Sequence, residues 1–156
     1  GSFIAAVLKR EPEARGVLFD RPEVIEGARA TLAGAGVTDR VERIAGSFFE
    51  SVPAGGDVYL LKHILHDWSD EECVTILRCV REGMTADARV VVVEMLISAD
   101  GPPSPAPLLD LNMLVMLTGK ERTKEEFGAL FAKAGLALSS VTPTHSPFAV
   151  IEARRA

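Results

Sequence analysis

Cysteine, aromatic side chains and clustered positive charge are all scarce in this chain of 156 residues. Its two cysteines, Cys73 and Cys79, stand six positions apart in a predicted helix, so they have neither disulfide nor metal-knuckle spacing. We interpret them as reduced, mostly buried thiols of a cytoplasmic protein. A net charge of -5 with scattered Lys and Arg argues against a sequence-independent nucleic-acid binder, which needs a basic face. No apolar run reaches the roughly 18 residues of a membrane span, and no signal peptide opens the sequence.

Strand-like and helix-like segments alternate along the chain. The residues that we interpret as strands are 16–20, 41–45, 57–62, 89–94, 136–141 and 148–153. Helical periodicity covers 3–10, 22–34, 73–83, 108–117 and the residues after Thr123, and a proline-rich loop covers 100–107. Ser69 and Thr123 each begin a capping box that starts a helix. The pattern predicts one α/β domain over 1–156, with a mostly parallel sheet and an antiparallel C-terminal strand pair.

Titratable side chains follow several of the predicted strands. Asp20 and Glu94 each end a strand, and Lys62 ends another, with His66 and Asp67 just beyond it. The carboxyl ends of parallel strands line one crevice of an open α/β sheet, where such folds place their chemistry. Asp20 could instead simply begin the loop before the next helix.

Three interpretations of His66 are open on the residues alone. A histidine suits a general base, because its ordinary pKa of about 6.5 allows proton removal at neutral pH. It could ligate a metal, but no second His or Cys has ligand spacing, so we expect no metal site. It could also be a surface or helix-entry histidine. We expect His63, three positions earlier, to point elsewhere.

Five features of the sequence form a recognisable set. The two most specific are His66-Asp67-Trp68, preceded by Lys62, and the segment 119–123, Gly-Lys-Glu-Arg-Thr. The others are 19–22 (Phe-Asp-Arg-Pro), 46–49 (Gly-Ser-Phe-Phe) and Glu94 at the end of its strand. Together they resemble the S-adenosylmethionine-dependent small-molecule O-methyltransferases, which include plant caffeate-type and bacterial secondary-metabolite enzymes and in which Glu94 would end the fifth strand. The resemblance covers essentially the whole chain. It implies a Rossmann-like class I methyltransferase sheet and transfer of a methyl group to a hydroxyl of a small molecule, which we expect to be aromatic.

The resemblance also assigns roles to individual positions. His66 would be the general base, with Glu94 and Glu121 holding its ring and tautomer. Asp20 would bond the cofactor ribose, Phe48 would pack on the adenine, and the other cofactor contacts would come from Gly1, Ser47, Lys62 and Asp67. The residues implied to line the acceptor pocket are Met113, Met116 and Leu117, although each of them could equally be helix core. A homodimer is implied for the full-length protein.

Two departures from the family pattern affect these expectations. Ser47 replaces the usual aspartate and brings no negative charge to the cofactor. The chain also begins where the family's first strand and glycine-rich loop end, at Gly1. We therefore expect a sheet without its first strand, between the strands that end at Asp20 and Lys62, and a chain that is part of a longer enzyme. Alone, it should bind S-adenosylmethionine poorly and methylate little.

Two other functions compete with a methyltransferase. The chain could be a non-catalytic or degenerate adenosine-binding module that acts through assembly with another chain, which the departures at Ser47 and Gly1 favour. It could also be a nicotinamide-dependent dehydrogenase on a similar sheet, but the Gly-x-Gly-x-x-Gly sequence of such proteins is absent. Methyl transfer to nitrogen or carbon also remains open, although a histidine base suits a hydroxyl best.

Overall fold

A computed structural model describes residues 1–97 and 119–156. These residues divide into two compact units, Gly1–Pro53 and Ala54–Ala156. The predicted helix 108–117 and the loop 100–107 lie outside the described residues, and so do Met113, Met116 and Leu117. Within the two described ranges, no helix has the length and apolarity that crossing a membrane requires.

The first unit is a βα arrangement around a two-stranded parallel sheet. Its elements are α1 (Ser2–Arg10), β1 (Gly16–Asp20), α2 (Pro22–Gly34) and β2 (Val41–Ala45). Leu8 of α1 and Leu32 of α2 are almost fully buried and pack in one cluster with Val41 of β2. Asp20 and Ala45 face each other at the carboxyl ends of β1 and β2. The residues that follow β2 therefore begin beside Asp20.

The second unit is a four-stranded sheet with two described helices. Its elements are β3 (Val58–Lys62), α3 (Asp70–Gly83), β4 (Arg89–Met95), α4 (Lys124–Lys133), β5 (Leu136–Pro143) and β6 (Phe148–Arg155). The strand order is β3-β4-β6-β5, with β3 and β4 parallel and β6 antiparallel to both β4 and β5. The predicted mixed α/β architecture and the antiparallel C-terminal pair are thus confirmed.

Local sequence signals account for where the two described helices of this unit begin. The Ser69 hydroxyl accepts from the Glu72 amide, and the Glu72 carboxylate accepts from the Ser69 amide. Thr123 and Glu126 form the same reciprocal pair at α4. Both predicted capping boxes are therefore present, and they satisfy amide groups that a helix start leaves without partners.

Apolar residues at helical and strand spacing form the core of the second unit. Ile76 and Leu77 of α3, Phe127 and Phe131 of α4, and Val92 of β4 are all at most 1% exposed. The apolar sequence of β3 is typical of a strand buried on both faces, yet Val58 is 47% and Leu60 41% exposed. Within the described sheet β3 is an edge strand.

Candidate active site

His66 lies in a short 3-10 turn, Leu65–Asp67, that joins β3 to α3. We call this segment the His66 turn. The chain leaves β3 through His63, whose φ of 54° is in the left-handed region that non-glycine residues seldom adopt. The His66 turn therefore lies between the left-handed residue that follows β3 and the capping box that begins α3. A side chain on such a support is positioned by the fold.

Two buried carboxylates approach the imidazole from other parts of the chain. Nδ1 of His66 lies 3.0 Å from Oε1 of Glu121 and 3.8 Å from Oε2 of Glu94. The side chains of Glu94 and Glu121 are 1% and 2% exposed, and that of His66 is 16% exposed. Asp67, which is 39% exposed, places Oδ1 3.3 Å from Nε2 of the same ring. The three residues expected to form the base and its supports are brought together by the fold.

Glu94 also fixes the backbone of the turn. Its Oε1 accepts hydrogen bonds of 3.0 Å from the amides of Ile64 and Leu65. Burial raises the pKa of Glu94, while the nearby His66 and these two amides favour its charged form. Glu94, at the end of β4, thus bonds the backbone just before His66 and also lies beside the imidazole ring.

The acidic surroundings raise the pKa of His66 above its ordinary value of 6.5. The hydrogen bond to Glu121 is the largest cause, burial opposes it, and the charges of Glu94, Glu121 and Asp67 add to it. The imidazolium form is therefore favoured once a proton has been accepted.

His63 does not point away from His66 as expected. Their ring centroids are 5.3 Å apart in an edge-to-face arrangement, and the His63 ring also lies 4.6 Å from that of Phe148. Burial, followed by the charges of Lys62 and His66, lowers the pKa of His63. His63 is thus a packing neighbour of His66, which its place in the sequence did not indicate.

Three titratable side chains converge in this cluster. One nitrogen or carboxylate oxygen from each of His66, Glu94 and Glu121 lies within 4.8 Å of the others. Sequence spacing did not predict this set, because the two carboxylates come from distant segments. The hydrogen bond between His66 and Glu121 gives the ring a partner without a metal.

The expected cofactor contacts fall in both units. In the first, the amide of Gly46 donates to the carbonyl of Asp20, which brings the segment 46–49 beside Asp20. The Ser47 hydroxyl accepts from the Phe49 amide, and the Phe48 ring packs edge-on against Phe49 at 5.0 Å. A carboxylate and an aromatic ring near the ends of adjacent parallel strands suit a ribose and an adenine. Gly1 accepts from the Ala5 amide at the start of α1.

Lys62 and Asp67 belong to the second unit. The Lys62 ammonium lies 5.5 Å from the centre of the Phe148 ring, within the range of a cation–π contact. Asp67 is the residue already placed beside Nε2 of His66. These two positions are therefore close to the imidazole cluster through their own unit.

Comparison with known families identifies the chain. A family model described as an O-methyltransferase domain matches residues 1–137. The chain belongs to the O-methyltransferase domain family. The family resemblance seen in the sequence is thereby confirmed.

Relatives of this O-methyltransferase domain include enzymes named for secondary metabolism. The chain is 46% identical over 154 residues to the phenazine O-methyltransferase PhzM of Lysobacter antibioticus, covering 99% of the chain and 45% of the relative. It is 45% identical to the mitomycin biosynthesis 6-O-methyltransferase of Streptomyces lavendulae, covering 100% of the chain and 45% of the relative. An 8-amino-8-demethylriboflavin N,N-dimethyltransferase of Streptomyces davaonensis is 37% identical over 99% of the chain and 44% of the relative. The chain spans about half the length of these curated relatives.

Solved methyltransferase structures that are more than 30% identical in sequence to this chain share its fold. The mitomycin 7-O-methyltransferase MmcR matches with a TM-score of 0.95 and 44% identity, over 100% of the chain and 46% of that structure. The O-methyltransferase NcsB1 from neocarzinostatin biosynthesis matches with a TM-score of 0.91 and 32% identity, over 99% of the chain and 46% of that structure. Its crystals contain S-adenosyl-L-homocysteine and 1,4-dihydroxy-2-naphthoic acid. The methyltransferase fold of the domain is thus shown.

Proposed function

We propose that this domain carries the base and cofactor contacts of an enzyme that transfers a methyl group from S-adenosylmethionine to a hydroxyl of a small aromatic molecule. The observation that carries the proposal is the contact between Nδ1 of His66 and the buried carboxylate of Glu121. Family membership and the S-adenosyl-L-homocysteine found with the NcsB1 structure, which is the donor after loss of its methyl group, support the choice of donor.

The carboxylate of Glu121 favours one tautomer of His66. A carboxylate accepts hydrogen bonds and donates none, and Glu121 lies nearer to Nδ1, at 3.0 Å, than Asp67 lies to Nε2, at 3.3 Å. The proton of the neutral ring is therefore placed on Nδ1. The basic lone pair is then on Nε2, the nitrogen near Asp67, whose side chain is 39% exposed. We propose that the acceptor hydroxyl gives its proton to Nε2. The resulting imidazolium lies between Glu121, Glu94 and Asp67, which stabilise its charge.

Proton removal matters because a phenol has a pKa of about 10 and is mostly protonated at neutral pH. General base assistance is worth roughly a hundredfold to ten-thousandfold in rate. Holding the hydroxyl near the base supplies a further part of the rate enhancement. When bound, S-adenosylmethionine supplies an activated methyl group on a sulfonium. No metal is needed in this scheme.

The proposed cofactor contacts follow from the side-chain chemistry at the ends of β1 and β2. Asp20 can accept from ribose hydroxyls, and the ring of Phe48 offers a face to adenine. Ser47 can donate or accept a hydrogen bond without adding charge, and Gly1 leaves room for close approach to the backbone. Lys62 and Asp67, in the second unit, are proposed as cofactor contacts on the family resemblance alone.

The identity of the acceptor is proposed at the level of chemical class. An aromatic hydroxyl agrees with the phenazine enzyme among the relatives and with the naphthoic acid in the NcsB1 crystals. An aromatic amine is the second candidate, because the riboflavin-type relative is named an N,N-dimethyltransferase. The roles of Met113, Met116 and Leu117 at the acceptor remain proposals from the resemblance, as do a homodimer and a cytoplasmic location.

A methyl-transfer assay tests the proposal. The complete gene product that contains this chain is incubated with methyl-labelled S-adenosylmethionine and paired hydroxy- and amino-substituted naphthoic and benzoic acids. We expect label on the oxygen of at least one hydroxylated acid, located by mass spectrometry and NMR. Label on nitrogen alone would replace the hydroxyl proposal with N-methylation. Cofactor binding without transfer to any acid would favour the non-catalytic adenosine-binding module.

A further inference from the structure

Arg122 is a fully buried cation in contact with the backbone on both sides of His66. Its side chain is 0% exposed, and its guanidinium donates 2.8 Å hydrogen bonds to the carbonyls of Leu65 and Trp68. The remaining N–H groups donate to Oδ1 of Asp70 and to the carbonyl of Lys120. All five donors of the guanidinium are used, which is the condition under which a buried arginine is tolerated.

The backbone of Arg122 is tied to the strand that carries Glu94. Its carbonyl accepts from the amide of Ile97 at 3.1 Å, and Arg122 forms a parallel bridge with Leu96. Glu121 directly precedes it. One residue thus connects the end of β4, the segment that carries Glu121 and the turn that carries His66.

Gly119 also allows the segment that carries Glu121 to lie close to the His66 turn. A Cβ on Gly119 would collide with the carbonyl oxygen of His66 and would come within 2.6 Å of the Trp68 amide nitrogen. The segment 119–122 therefore packs directly on the backbone of the His66 turn. The hydrogen bonds of the Arg122 guanidinium and the lack of a side chain at Gly119 thus both allow this segment to contact the His66 turn.

The carbonyls that Arg122 holds have a second donor. The thiol of Cys73 lies 3.1 Å from the Leu65 carbonyl and 3.5 Å from that of Trp68. Burial raises the pKa of Cys73 to about 11, so it keeps its proton at neutral pH and can donate. The turn is thus held from α3 as well as from Arg122.

We propose that Arg122 is a positioning residue for methyl transfer, which fixes Glu121 against Nδ1 of His66 by clamping segment 119–122 onto the His66 turn. This inference rests on the proposed function, since it assigns a role to the support of the proposed base. Arg122 does not itself face the imidazole in the described contacts, and it acts through Glu121 and the turn.

Replacing Arg122 with Lys tests the geometry without changing the charge. Lysine keeps a cation but lacks the planar fork that reaches both carbonyls. Arg78→Lys is the matched control, because Arg78 lies on α3 and donates to the Lys133 carbonyl at an exposed position. The chain is labelled with 15N-histidine, and the ring signals are followed by NMR over a pH titration, with His66→Gln assigning the signal.

We expect the pKa of His66 to fall by about half a unit or more in Arg122→Lys, because an opposite charge acts strongly only at contact distance. Arg78→Lys should leave it unchanged. In the complete gene product, kcat should fall up to about a hundredfold, the cost of a small misplacement, with the KM for cofactor unchanged.

Gly119→Ala is the second variant, which forces the segment away from the turn without touching any charge. It should also lower the pKa of His66. If Arg122→Lys does not fold, the His66 pKa of Gly119→Ala tests the proposal instead. A folded Arg122→Lys or Gly119→Ala chain with an unchanged His66 pKa would overturn the proposal. Because the titration needs no methyl transfer, it gives its answer even where the proposed function fails.

Discussion

Nδ1 of His66 lies 3.0 Å from Oε1 of Glu121, although the two residues are 55 positions apart in the chain. No helix or strand of the described residues contains both of them. The contact exists because the segment before α4 packs on the turn after β3. It raises the pKa of His66, and the proposed role of His66 as a base depends on it.

Changing Glu121 to Gln should move the pH dependence of activity. Glutamine keeps an oxygen that can accept from Nδ1 but removes the negative charge that favours the imidazolium. A base must be neutral to accept a proton, so kcat/KM should rise with pH, with a midpoint at the pKa of His66. We expect the unmodified enzyme to have a midpoint above 6.5 and Glu121→Gln to have a lower one.

The control for this variant is Glu125→Gln, an exposed carboxylate in the first turn of α4. It makes the same chemical change four residues away and should leave the midpoint where it was. If Glu121→Gln and Glu125→Gln have the same midpoint, the charge of Glu121 does not raise the pKa of His66.

Removing the Asp20 carboxylate should weaken the cofactor complex. Asp20→Ala deletes an acceptor for ribose hydroxyls, and hydrogen bonds to a charged group contribute about 1.5–3 kcal/mol. We expect the dissociation constant of S-adenosylmethionine, measured by calorimetry on the complete gene product, to rise about tenfold to a hundredfold. Asp39→Ala, an exposed carboxylate in a turn before β2, is the comparison. Equal constants for the two variants would leave Asp20 without its proposed role.

The capping box of α3 should contribute measurably to stability. Ser69→Ala removes the hydroxyl that accepts from the Glu72 amide, so the free energy of unfolding should drop by about 1 kcal/mol. Thr75→Ala, inside the same helix, removes a hydroxyl that bonds the Glu71 carbonyl and should cost little, because alanine favours helix. Urea unfolding of both variants measures the difference. A Ser69→Ala chain as stable as the Thr75→Ala chain contradicts the cap assignment.

Much of the fold was predictable because its signals are local. The capping residues Ser69 and Thr123 form hydrogen bonds within three positions, so their spacing alone indicates where α3 and α4 begin. The valine run of β4 and the acidic residue at its end, Glu94, are equally local. The parallel arrangement followed from the alternation of strands and helices along the chain.

The support of the imidazole was only partly predictable, because long-range packing decides it. Glu121 was expected through the family resemblance and not through any spacing from His66. The contacts of His63 and Arg122 had no sequence signal, since one depends on a left-handed backbone angle and the other on the approach of a distant segment. The exposed face of β3 has no signal in the sequence, because Val58 and Leu60 are as apolar as the buried Leu61.

The turnover of a His66→Gln variant tests the account most directly. In the complete gene product at saturating cofactor, kcat for a hydroxylated aromatic acceptor should fall by about a hundredfold to ten-thousandfold, while calorimetry gives an unchanged dissociation constant for S-adenosylmethionine. His145→Gln, at an exposed position between β5 and β6, should retain full activity. A His66→Gln enzyme with undiminished kcat would contradict the assignment of His66 as the general base.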